Sequence, residues 1–84
     1  MKNKYKELEN QIRKLLQIKI ISAKEIDNKI KDLVLDNGLE ELTLKKDDGE
    51  IGAIIVFKNN KPVFKIITEY GESNEDIQKF LKNF

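Results

Sequence analysis

Apolar side chains recur along the first third of the chain at helical spacing. Tyr5, Leu8, Ile12, Leu15 and Leu16 fall on one side of a helix spanning 4–18, with lysines and glutamates between them. Ser22-Ala23-Lys24-Glu25 has the form of a capping box. The serine hydroxyl accepts from the amide three residues on, and the glutamate reaches back. A second helix is therefore expected over 23–36, with Ile26, Ile30, Leu33 and Val34 on one face and Asn37-Gly38 as its stop. The link between the two is short, so they should fold back as a hairpin.

After Gly38 the period changes to two. Asp48-Gly49 and Asn59-Asn60 each sit between apolar runs, and both pairs suit the two-residue hairpin turn with positive φ. Strands are predicted over 40–46, 51–58 and 62–69. Two-residue turns would set Leu44 against Ala53, Leu42 against Ile55, Ile55 against Phe64 and Ala53 against Ile66. One sheet face is then Leu42, Leu44, Ile51, Ala53, Ile55, Phe57, Phe64 and Ile66, with no charge among them, and this is the expected core. Gly71 should close the third strand. Ser73 or Asn74 should cap a last helix over 74–83, whose stripe is Ile77, Phe80, Leu81 and Phe84. The predicted fold class is α+β, in the order α-α-β-β-β-α. Its three-stranded antiparallel meander carries helices on at least one face, in one domain covering 1–84.

Two family resemblances attach to these segments. Leu15-Leu16-Gln17-Ile18-Lys19-Ile20-Ile21-Ser22-Ala23-Lys24-Glu25-Ile26, with Lys29 and Leu33, resembles the short C-terminal (SHOCT-type) helical hairpin. That family's pattern is leucines, then Gly-Ile-Ile-Thr/Ser, two residues and Glu-Phe. The likeness covers 15–33, departs at Lys19 where the family has glycine, and implies an appendage-type hairpin. Residues 23–84 resemble the double-stranded-RNA-binding domain in topology alone. That family uses lysines at the start of its last helix and a groove-reading first hairpin loop. Here those places read Gly71-Glu72-Ser73-Asn74-Glu75-Asp76 and Asp47-Asp48-Gly49-Glu50, acidic at both, so phosphate is repelled.

Composition narrows the function further. The 84 residues carry 16 basic and 15 acidic side chains, a balance that argues against nucleic-acid binding and against nucleic-acid mimicry alike. There is no histidine and no cysteine, and Ser22 and Ser73 stand where helix caps belong. A nucleophile needs an adjacent base, so no enzymatic activity, cofactor or metal is expected. Asp47, Asp48 and Glu50 crowd one turn that is too short to wrap a hard cation. No apolar run approaches the ~18 residues of a membrane span. The first ten residues lack a signal peptide's apolar core, so a cytoplasmic protein is expected.

The opposite sheet face remains. It holds Thr43, Lys45, Gly52, Ile54, Val56, Val63, Lys65 and Ile67. Ile54, Val56, Val63 and Ile67 would make an apolar patch flanked by Thr43, Lys45 and Lys65, and such a patch needs a cover. The cover is either the first helix or another chain. Thr43, Lys45, Ile54, Val56, Val63, Lys65 and Ile67 are accordingly the candidate partner-binding residues, for a protein partner or a second copy. Lysine outnumbers arginine 15 to 1, as in an AT-rich genome. A small interaction domain of this kind suits a phage- or mobile-element-encoded modulator of a host complex, an anti-CRISPR-type inhibitor among them. A nucleic-acid-associated regulator and a self-associating assembly subunit are the competing classes.

Overall fold

Ser22 starts the second helix as its capping pattern requires. In the computed structural model, which describes residues 5–84, the Ser22 hydroxyl accepts the Glu25 amide at 3.2 Å. α1 is Lys6–Leu16 and α2 is Ala23–Asp36. The start of the expected first helix falls outside the described residues. α2 ends in a Schellman motif: the Gly38 amide donates to the Leu35 carbonyl at 2.9 Å and the Leu39 amide to Val34 at 3.1 Å. Gly38 sits at φ 72°, which glycine adopts without steric cost.

The strands are β1 (Glu40–Lys45), β2 (Ile51–Lys58) and β3 (Lys61–Ile67), antiparallel in the order β1-β2-β3. Asn59 and Asn60, at φ 51° and 66°, make the expected two-residue turn. The first turn differs. Lys46 and Glu50 close it with 2.9 Å bonds from the Lys46 amide to Glu50 and from the Gly49 amide to Lys46, and Gly49 has φ 89°. That is a three-residue loop with a left-handed glycine, one residue longer than the Asp48-Gly49 turn read from the sequence.

Two irregularities then decide the faces. A bulge at Gly52 absorbs the extra loop residue, so Leu44 still faces Ala53 and Leu42 still faces Ile55. Ile51, on the far side of that bulge, turns to the face of Ile54 and Val56. A second register shift, between Val56 and Phe57, leaves Val63 without a partner and sets Phe64 against Val56 and Ile66 against Ile54. Ile51, Phe64 and Ile66 thus lie opposite to their expected face. A bulge adds one residue to one strand, and one residue flips every side chain beyond it. In their place Ile67 joins Ala53, Ile55, Phe57 and Leu44.

Both faces carry helices, the α4 face only in part. α1 and α2 bury Ile51, Ile54, Val56 and Ile66 beneath Leu8, Ile12, Ile26, Ile30 and Val34. Tyr5, just ahead of α1, reaches across to Phe64 with ring centroids 6.2 Å apart. On the other face Ile77 and Leu81 cover Ala53 and Ile55. All six residues from Ile51 to Val56 are buried, which is why this strand shows no alternation of apolar and polar positions.

One helix was not expected. Thr68 caps a short α3, Glu69–Glu72. Its hydroxyl donates to the Ile51 carbonyl at 2.7 Å and its amide to Gly52 at 3.0 Å, so α3 is tied to the bulge. Gly71 lies against Gly52 so closely that a Cβ on it would overlap the Gly52 carbonyl. α4 follows as Glu75–Leu81, and Asn74 is its cap, accepting the Ile77 amide at 3.0 Å. Ser73 instead ends α3.

Candidate interaction surface

Thr43 and Lys45 face α2 and meet Asp27, the single buried charged residue among those described. Lys45 Nζ lies 3.1 Å from Asp27 Oδ2 and Lys31 Nζ 3.5 Å. The Thr43 hydroxyl shares its one hydrogen between Asp27 Oδ1, at 3.0 Å, and the Glu41 carboxylate. Burial pushes the Asp27 carboxyl up. The hydrogen bonds from Lys45 and Thr43 and the charges of Lys45 and Lys31 outweigh it, and its pKa falls below the ordinary 3.8. Each acid here has a cation beside it. The cluster is a clamp between α2 and β1, with no free charge aimed at solvent.

Ile54 and Val56 are fully buried under the helical hairpin. The open apolar patch expected around them is therefore filled from within the chain, and neither residue is available to a partner. Val63, the bulge residue, is half-buried against the same core. The bulge sends Lys65 and Ile67 to the opposite face, where Ile67 packs under α4 and exposed Lys65 donates to the Phe84 carbonyl at 3.3 Å. The seven expected residues are thus split across the sheet and form no common surface.

A different apolar surface is exposed. α4 has seven residues, about 10 Å of helix. β2 has eight, about 27 Å of strand. Ile77 and Leu81 point at the sheet, and the helix is too short to cover the rest. Phe80 on its flank and Phe84 just past its end are 39% and 40% exposed. Their rings stand 5.3 Å apart, and Phe84 meets half-buried Phe57 edge-on at 5.8 Å. Leu42, 37% exposed, shares this face one strand over. The signal for these residues was present in the stripe Ile77, Phe80, Leu81 and Phe84. Three large apolar residues in so short a helix, with Phe84 just past its end, are more than one stripe can bury.

At the other end of the molecule, Leu16, Ile18, Ile51 and Tyr70 line a cleft of about 350 Å³, with Glu50 and Glu69 on its polar side. Ile20, in the α1–α2 link, is 93% exposed. No helix among the described residues is long and apolar enough to cross a membrane. Compared with protein-family models, curated proteins and solved structures, the chain matches none.

Proposed function

We propose that this chain is a non-enzymatic protein-interaction domain that docks a partner protein on the α4 face of its sheet. One observation carries the reading. Phe57, Phe80 and Phe84 form a chain of ring contacts at the surface, beside exposed Leu42, where a short helix leaves a sheet face partly bare. Aromatic rings presented this way are rigid, apolar anchors of the kind enriched at protein interfaces. Phosphate is a poor partner for the same chain. Its net charge is +1, and the Asp47-Asp48 loop is exposed. The Glu50 amide bonded to Asp48 holds that carboxyl below its ordinary range, so the loop stays negative.

The action is occupancy of a partner's surface. Modulation of a host complex, inhibition of a CRISPR nuclease included, is one setting that suits it. The test is capture of a stoichiometric protein from the native host. Wild type and Ile20→Glu, which alters an exposed residue of the α1–α2 link, should both retain it. Phe80→Glu/Phe84→Glu should lose it at unchanged far-UV circular dichroism. Equal capture by the double variant would refute the surface.

A further inference from the structure

The two edges of the sheet are built differently. β3 carries Pro62, which has no N–H to donate, together with Lys61, Lys65 and an unpaired bulge residue at Val63. These are the devices that keep a sheet edge from pairing. β1 has neither the proline nor the bulge, and its one lysine, Lys45, is held by Asp27 of its own chain. Its sequence Glu40-Glu41-Leu42-Thr43-Leu44-Lys45 is regular, free of proline and glycine, and apolar at Leu42 and Leu44. No side chain among the described residues bonds to its outward backbone groups, and no strand pairs with them.

The charges of β1 are also ordered. Glu40 and Glu41 stand at its start, and Lys45 and Lys46 at and just past its end. A parallel copy would set like charges together. An antiparallel copy sets acid against base. We propose that β1 pairs antiparallel with β1 of a second copy about a two-fold axis normal to the sheet, which joins the two sheets into one of six strands.

Such an axis keeps each face continuous, so residues that pair must come from the same face. Among the registers that obey this, one matches chemistry throughout. Leu42 faces Leu44 of the second copy on the α4 side. Glu41 faces its Lys45 on the α2 side, and Thr43 faces Thr43 across the axis. Just beyond the strand, Glu40 meets its Lys46. Shifting by one pair sets Glu40 against leucine, or Leu42 against Lys46. Lys45 and Glu41 already bond within their own chain, to Asp27 and Thr43, so the match across the axis is one of field rather than of new primary bonds. Exposed apolar side chains flank the seam on both layers: Leu35 of α2 on one, and Leu42 on the other.

The pairing is tested on the whole chain by sedimentation velocity and by cross-linking. The 9.8 kDa chain should sediment at twice that mass as concentration rises. The sequence has no cysteine, so single substitutions report cleanly. Paired Cα atoms in an antiparallel ladder are about 4.5–5.5 Å apart, within disulfide range, whereas diagonal ones are about 7–8 Å apart. Leu42→Cys mixed with Leu44→Cys should oxidise to the mixed disulfide faster than either variant alone. Glu40→Lys, at an exposed position, should weaken the dimer about tenfold at low salt by opposing Lys46. That second readout holds even if Leu44→Cys disturbs the fold. A chain that stays monomeric at millimolar concentration overturns the proposal. So does a dimer that shows no preference for the mixed disulfide or is indifferent to Glu40→Lys, since it would use another face.

Discussion

Asp27 shows how a polar side chain earns a place beneath a helix. Its carboxylate is nearly closed off from solvent, at 6% side-chain exposure, yet Lys45, Lys31 and Thr43 supply partners. The folded pKa lies below the unfolded one, so the ionised form stabilises the fold at neutral pH. That contribution is complete above the ordinary value of 3.8 and is lost as pH falls through the lower folded value. Asp27→Asn should cost about 1–3 kcal/mol at pH 7, because Lys45 and Thr43 lose an ionised acceptor. The penalty should shrink as pH falls below 3.8, which urea melts of both proteins at pH 7 and pH 3 will read. A penalty independent of pH would show that packing, not charge, holds this site. Nothing in the sequence flagged Asp27. It falls within a polar stretch of an amphipathic helix, and only the register of β1 brings Thr43 and Lys45 to it.

Elements were legible where local chemistry sets them. Ser22 and Glu25 mark the start of α2, Gly38 its end, and Asn59-Asn60 a turn, each by a rule acting within a few residues. The two bulges were not legible, because a bulge is chosen by what packs on both faces at once. Gly52 makes the point. It is a bulge residue because α3 comes down on it, and α3 is there because Thr68 bonds to Ile51 and Gly52. Gly71→Ala pushes a methyl group into the Gly52 carbonyl, so α3 must lift from the sheet. The expected loss is about 1–3 kcal/mol, measured by thermal denaturation, with α4 loosened in the same variant. A neutral outcome would mean that α3 is free to move and is no brace for α4.

At the scale of the molecule, the sheet is the middle of three layers, and this changes what a charge in β2 would do. Ile54→Asp and Ile55→Asp point to opposite faces, yet both faces are core. Each substitution removes about 1.5–3 kcal/mol of burial and strands a carboxylate. A chain of this size has on the order of 5–10 kcal/mol of stability in all. Both variants should therefore fail to fold cooperatively, as circular dichroism melts will show. An Ile54→Asp protein that folds would restore the open face that burial rules out. The sequence alone left that choice undecided: Ile54 and Val56 needed a cover, and periodicity cannot say whether α1 or another chain provides it. The surface on α4 was hidden for the opposite reason, since its stripe looked like core until the helix proved too short.

Tyr5 against Phe64 has one more consequence, in the order of events rather than their energies. The helical hairpin and the strand meander join segments adjacent in the chain, and such contacts form early and quickly. The reach of α1 to β3 closes a loop over most of the chain. α1 is 11 residues long and has no side-chain cap, so it is marginal on its own. It is the part that should dock last and open first. Its amides should exchange with solvent well before those of β2, at a free energy short of full unfolding. In those openings the chain would briefly uncover the α1 side of the face of Ile54 and Val56, with α2 still in place.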